Sequence, residues 1–455
     1  MVRTKLKTMQ IPPSIVKVLK LEFESEILST DWLSMLLAGE LYEFEQLLYK
    51  SISTLYDKIC EALIKWIGST EKFVELQKEL AKSKGLKKLI IRPVELQLRT
   101  GTKISYDSLY AKVVPKDYKG SRHLSVLFWR SFLKSSPMYQ SLTCLLSVIC
   151  PSFSLSKELL RYQGIQANFD RTRELSLTLG EACMQDRAGI QLAPQESLAG
   201  KRAIISIDGG RTRTRVYAQN EDPKRSQKFD TPWTEPKLFV ITTIDKEGKI
   251  NKEDLPIYDS SFGDDQTFEI LEQYLKKLKI EEAESVQFIA DGAPWIWNRA
   301  KPMLLRLGVE QDKIIETLDY YHAMEHLNEL MIYVDKDQKN SIFRKLKQGL
   351  WQGNISKMKR LIKKGVPGVN LEEFTPYKYF EKNKDRIDYQ SLKKQKRPLG
   401  SGVVESGIRR VINLRFKSPS SFWYPENVEK LIFMRGIVLS GRWEIMMNNL
   451  TKKKN

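Results

Sequence analysis

The sequence predicts an α/β domain, a mixed sheet flanked by helices, preceded by a mainly helical region that holds one β-hairpin. Three observations carry this. Apolar, β-branched runs recur after residue 200, at 202–208, 213–219, 237–244 ("KLFVITTI"), 285–290 ("SVQFIA") and 313–318. Helical periodicity separates the later runs, near 265–278, 295–307 and from 321, which gives the order β-β-β-α-β-α-β-α. Before residue 200, apolar residues fall at three- and four-residue intervals over 14–85 and again from His123 to Gly180.

The remaining elements follow in order. Between those helical stretches, "RPVELQLRTGTKISYDSLYAKVV" alternates about a "TGT" turn, a hairpin signal at 90–113. A helix from Ser156 to Tyr162 meets Gly164, and a second follows from about Gln166 with Arg171 and Arg173 on it. Two short helices hinged at a glycine resemble a helix-turn-helix, so residues 121–200 are a candidate DNA-binding region. Many helical hairpins share this pattern and bind nothing. "GIQLAPQESLAG", 189–200, has linker composition. Residues 340–395 are Lys-rich and helical, and a final helix is expected at 403–415. The expected boundaries are 1–120, 121–200, and 201–445 with an insertion at about 335–398, then a basic tail at 446–455. No internal repeat is present.

With 455 residues there is room for two or three domains, and 41% hydrophobic residues support ordinary cores rather than disorder. Lys and Arg number 75 against 56 Asp and Glu, a net charge of +19 that points to a polyanionic partner, most often nucleic acid. The four cysteines, Cys60, Cys144, Cys150 and Cys183, form no C-x-x-C pair, which excludes a zinc ribbon; Cys144 and Cys150 read as buried thiols. The N-terminus is basic but lacks an apolar signal core, and no run approaches 18 apolar residues. A cytoplasmic protein without a membrane span is therefore expected.

Three carboxylates stand out. Asp208 ends the first strand in "SIDGGRTRTRVYA", Asp291 ends "VQFIADGAPWIW", and Glu405 lies early in a helix in "GSGVVESGIRRVINLRFK". Strand C-terminal ends are where α/β sheets gather ligands. Phosphodiester chemistry calls for such a set, because two divalent ions stabilise both the attacking and the leaving oxygen and Mg²⁺ needs few protein carboxylates. Arg211, Arg213, Arg215, Arg409, Arg410, Arg415 and Lys417 can then hold phosphate oxygens. The plain readings are a solvated strand face for Arg211 to Arg215 and an i,i+4 ion pair of Glu405 with Arg409. Glu372, Glu373 and Glu381 compete as the third acid, but only Glu405 sits at a glycine-flanked helix start followed by clustered arginines.

Residues 202–445 resemble the catalytic region of bacterial insertion-sequence transposases with an RNase H-like DDE core. The likeness rests on "SIDGGRTRTR", "DTPWTEPKLFVI" with Trp233 and Glu235, "FIADGAPWIW", "LDYYHAMEHL" and "GSGVVESGIRRVINLRFKSPSSFW" with Trp423, in the expected order. It implies that Asp208, Asp291 and Glu405 form a triad holding Mg²⁺ or Mn²⁺, as two ions. It further implies that Asp319 and His322, a D-x-x-H pair, lie near the active site, and that 340–395 is an all-α insertion. The activity implied is cleavage at transposon ends and strand transfer into target DNA. Its partners are double-stranded DNA and other copies of the chain, in a homo-oligomer on DNA. The N-terminal region lacks the cysteine cluster of some relatives. A decayed relative that only binds DNA is one alternative. Another class is offered by His322, Glu325 and His326, which fit the H-x-x-E-H order of a zinc peptidase; with only His123 besides, the third ligand would be a carboxylate.

Overall fold

A computed structural model of the chain describes residues 10–217, 229–418 and 421–451. Two compact units result, Met1–Leu179 and Gly180–Lys454.

The first unit begins with four helices, α1 (Pro13–Phe23), α2 (Trp32–Leu37), α3 (Leu41–Gly68) and α4 (Glu71–Ser83). The hairpin of β1 (Lys87–Gln97) and β2 (Lys103–Val113) follows, then α5 (Leu124–Phe128), α6 (Pro137–Ile149) and α7 (Phe153–Tyr162). Val94, Leu96, Ile104 and Tyr106 of the hairpin pack with Cys60 and Ile64 of α3. The division between the units falls inside α8 (Phe169–Met184). The helix pair expected at 156–180 is thus α7 and α8, turning at Gly164 with φ +74°. The first helix starts three residues earlier than expected because the Ser152 hydroxyl caps it by accepting from Leu155 N–H. Arg173 is exposed, whereas Arg171 donates to the Leu133 carbonyl and to Ser135 Oγ within its own unit. Cys144, Cys150 and Cys183 are buried.

The second unit is a mixed α/β domain. Its strands are β3 (Arg202–Gly209), β4 (Thr212–Arg213), β5 (Trp233–Thr234), β6 (Lys237–Ile244), β7 (Ile257–Ser261), β8 (Ser285–Ala290) and β9 (Ile314–Leu318). Five of them form one sheet in the order β7-β6-β3-β8-β9. β3, β8 and β9 are parallel, and β6 is antiparallel to both its neighbours. Burial on both faces explains the continuous apolar runs of the central strands. Ala203, Ile205, Ile207 and Phe288 join the core beneath α10 (Asp264–Lys277) and α11 (Pro294–Arg306), while Ile204 and Ile289 face the other way.

After β9 come α12 (Tyr320–Leu330), α13 (Lys339–Trp351), α14 (Ile355–Gly365), α15 (Thr375–Lys382) and α16 (Tyr389–Lys394). Then α17 (Gly402–Gly407) lies against β3 and β6, followed by a π-helical turn, Ile408–Asn413, and α18 (Leu414–Phe416). The helix expected at 403–415 is therefore not one regular helix. α19 (Pro425–Leu439) lies against β7, and α20 (Trp443–Thr451) closes the described chain. Among the described residues no helix is long and apolar enough to cross a membrane.

Three expectations are corrected. A strand at 213–219 is reduced to the two residues of β4, with 218 and 219 outside the described residues; the third strand of the sheet is β7 instead. Its polar Asp259, Ser260 and Ser261 hid it, yet all three are buried. Residues 189–200 are not a free linker, since Leu192 and Leu198 enter the core of the second unit and Leu198 N–H donates to the Leu278 carbonyl at 2.8 Å. The tail expected from 446 is helical to Thr451, because Met446 and Leu450 are buried.

Asp259 is tolerated inside by its partners. A short helix (Arg187–Gln191) brings Arg187 to Asp259 Oδ1 at 3.1 Å and to Glu429, and Tyr274 Oη donates to Asp259 Oδ2 at 2.9 Å. Removing the one cation strands two carboxylates. Arg187→Leu is therefore expected to destabilise the second unit by about 3–5 kcal/mol, read by urea unfolding; a change under about 1 kcal/mol would show that the pair is not needed.

Candidate active site

Three aspartates close three adjacent parallel strands at one level. Ile207 pairs with Ala290, and Ala290 pairs with Leu318, as the last partners of β3, β8 and β9. The next residue in each strand is an aspartate: Asp208, Asp291 and Asp319. Asp319 N–H continues the ladder by donating to the Ala290 carbonyl at 2.8 Å. Strands about 4.8 Å apart thus set these acids side by side at the C-terminal edge.

The glycines after the first two aspartates both lie in close quarters, with a movable side chain at the first and a packed ring at the second. A Cβ at Gly209 would run into the Glu235 carboxylate, and one at Gly292 into the Tyr379 ring. Tyr379 comes from α15 of the helical insertion. Burial, reinforced by the carboxylates of Asp291 and Asp319, holds its phenol protonated well beyond the usual range.

Asp319 is fully buried and caps α12, accepting from Tyr321 N–H at 2.6 Å and His322 N–H at 3.2 Å. Its second oxygen accepts from both the N–H and the hydroxyl of Ser401. Ser401 begins α17, one helical turn before Glu405, and its Oγ lies 3.4 Å from Glu405 Oε1. Ligand atoms of Asp319, His322 and Glu405 fall within 4.8 Å of one another, the one such His/Cys/Asp/Glu group among the described residues. Asp208 and Asp291 act on the same group electrostatically. Burial pushes the Asp208 carboxyl up to about 6, with the Asp291 and Glu405 charges adding to the rise and Gly209 N–H and His322 opposing it. Burial works against a proton on His322, but Asp319, Glu325, Asp208 and Asp291 outweigh it and raise its pKa.

Of the four acids and the histidine read from the sequence as site or near-site residues, Asp319, His322 and Glu405 lie within ligand distance of one another, and Asp208 and Asp291 stand close enough to act on them through their charge. His326 is held apart from them: its Nδ1 lies 2.8 Å from Glu329, and its ring packs on Tyr379 with centroids 3.8 Å apart. The two imidazoles of the H-x-x-E-H run are not offered to one ion. Glu372 and Glu373 are exposed, and Glu381 meets Tyr377 Oη at 3.4 Å; none joins the acidic group.

The basic residues divide. Arg211, Arg213, Arg409, Arg410 and Lys417 are exposed. Arg213 stacks on Trp233 at 4.9 Å and Arg215 on Phe229 at 4.8 Å, while Arg410 donates to Tyr258 Oη at 3.1 Å. Among the described residues Glu405 makes no ion pair with Arg409. Arg415 does not stand with the exposed set: it is 1% exposed, and its guanidinium lies over Trp423. Sequence reasoning missed Ser401 and Tyr379. Ser401 could have been noticed as a helix-capping residue type ahead of the Glu405 helix.

No family model matches the chain, and no curated protein matches its sequence. Among solved structures, the Drosophila P element transposase strand transfer complex is similar over 70% of this chain and 82% of that one, at 12% identity and a TM-score of 0.25. So remote a likeness leaves the chemistry to be read from the site itself.

Burying the Asp208 carboxyl costs stability. The folded protein holds a proton on Asp208 more tightly than the unfolded chain does, so stability falls as pH rises from about 4 to about 6 and stays low above that. Asp208→Asn is expected to raise the calorimetric midpoint of chelator-treated protein at pH 8 by a few degrees, about 1–2 kcal/mol after allowing for solvent at this half-buried group. The gain disappears near pH 4. A midpoint lowered at pH 8 would contradict this electrostatic account.

Proposed function

We propose that the protein is a DNA transposase whose second unit is an RNase H-like catalytic domain of the DDE class. The observation that supports the reading is that Asp208, Asp291 and Asp319 end three adjacent parallel strands of a mixed sheet, with Asp319, His322 and Glu405 grouped within 4.8 Å and the Glu405 charge felt at Asp208. The net charge of +19 and the exposed cations after Asp208 and after Glu405 support a polyanionic substrate. On this reading residues 121–200 contribute DNA contacts through α7 and α8, with Arg173 the more available cation of the two proposed there.

The side chains gathered here suit Mg²⁺ or Mn²⁺: the hard carboxylate oxygens of Asp208 and Asp291 stand beside the group of Asp319, His322 and Glu405, which contains no thiolate. Asp208, Asp291 and Glu405 would hold the ions. When bound, such ions supply the Lewis acidity that phosphodiester cleavage and transfer require. The chain's own residues do the rest. Asp319 is already saturated by four donors, so it positions Glu405 through Ser401. His322 balances part of the negative charge at Asp208. Arg211, Arg213 and Arg409 hold phosphate oxygens and orient the backbone, which fixes register without reading sequence.

Asp208→Asn, Asp291→Asn and Glu405→Gln are each expected to abolish Mg²⁺-dependent nicking of DNA carrying the element's ends, in a gel assay, with circular dichroism unchanged. His322→Ala should reduce cleavage strongly. His326→Ala and Glu325→Ala should be mild, and elemental analysis should find no stoichiometric zinc. Asp319→Asn or Ser401→Ala should weaken Mn²⁺ binding about 10–100-fold, as loss of a ligand-orienting partner does. Full activity in any triad variant removes that residue from the site; one zinc per chain with loss of activity in all of the His322, Glu325 and His326 variants would replace this reading with a peptidase.

A further inference from the structure

The first unit is built in two halves of unlike character. From α4 onward it has a core, with Phe73 and Ala81 of α4 buried and the C-terminal half of α3 packed on the hairpin. Ahead of that, neither α1, α2, α3 nor the π-helical turn Glu24–Leu28 contains one buried residue. These helices are nevertheless ordered against one another. Lys58 on α3 pairs with Glu22 at 2.5 Å and Glu26 at 2.8 Å, and Trp32 meets Phe44 edge to face.

Between Ile11 and Tyr56, fifteen large apolar side chains are exposed. Leaving out Leu47, which lies on the far side of α3, the other side chains at roughly half exposure and roughly 100 Å² of apolar area each present on the order of 700 Å². That exceeds the ~300–600 Å² patch usual on a monomer and approaches the ~800 Å² per partner of a stable interface. On α3, Leu41, Tyr42, Tyr49, Ile52 and Tyr56 fall within an arc of about 100° at helical pitch, a single stripe. Leu28, Leu33 and Leu37 extend the apolar surface over the turns between α1 and α3, Leu37 at 80% exposure.

Charge says what the face does not bind. Residues 10–68 carry nine acidic side chains to five basic ones, in a chain whose overall balance is strongly positive. DNA is repelled by this segment. A protein face is required, and the stripe matches itself. Tyr42 and Tyr56 stand seven residues either side of Tyr49. An antiparallel pairing with its two-fold axis at Tyr49 sets Tyr42 of one copy opposite Tyr56 of the other, as an isologous contact demands.

We propose that α1, α2 and the first half of α3 form a homodimerisation surface, centred on Tyr49 and closed by the same face of a second copy as a four-helix contact. This stands whether or not the carboxylates cut DNA. The full-length chain, without DNA, is expected to sediment as a dimer with a Kd below about 1 µM. The double variant Tyr49→Glu/Ile52→Glu should weaken dimerisation at least 100-fold while leaving circular dichroism unchanged. Leu47→Glu, on the opposite side of α3, should leave the dimer intact. A wild-type monomer up to 50-fold above that Kd, a dimer that survives the double substitution, or equal disruption by Leu47→Glu would each overturn the proposal.

Discussion

The carboxylate of Asp319 joins two parts of the chain that sequence places far apart. With no exposure to solvent, it must find its hydrogen-bond partners inside the protein, and four donors meet it: two from the first turn of α12 and two from Ser401. One consequence is local, a capped helix carrying His322. The other is remote. α17 can start in only one place, and Glu405 follows one turn later, over the edge where β3 and β8 end. The remaining geometry of the site depends on this buried carboxyl group, because nothing in the covalent chain itself brings residue 405 to residues 208 and 291.

The sheet supplies the opposite kind of constraint. Packing on both faces holds β3, β8 and β9 in a fixed register, so the aspartates that follow cannot move apart to relieve their repulsion. Burial then raises the Asp208 pKa rather than displacing the residue. Hydrophobic packing elsewhere carries that cost, which is how a fold sustains an arrangement unfavourable on its own. Asp259 in the same sheet is likewise pushed up to about 6 by burial, but there an arginine and a tyrosine of its own oppose the rise.

What could be read in advance follows from which interactions are local. The strands ending at Asp208 and Asp291 are legible because an apolar run, an aspartate and a glycine are adjacent in sequence. Asp319 has the same place at a strand end, but Glu316 interrupts its apolar run and no glycine follows, so only the resemblance pointed to it. Ser401 is legible only as a helix-start residue type; its contact with Asp319 is not, since that partner lies 82 residues away. β7 was missed because buried polar residues look like a loop until their partners are known. Arg415 was misjudged for the converse reason: an arginine among arginines reads as surface, yet this one lies under Trp423.

Tyr379 changes how the helical insertion is to be regarded. Its ring occupies the space that Gly292 leaves open, and the insertion's core takes in Leu318, the last residue of β9. The helices between α12 and α17 are therefore continuous with the sheet through one hydrophobic core, and their aromatic side chain forms a rigid wall beside the acids. On the proposed reading, such a wall restricts the directions from which a stiff polymer can be laid across the carboxylate edge, and the sheet without the insertion would lose the covering of β9 as well.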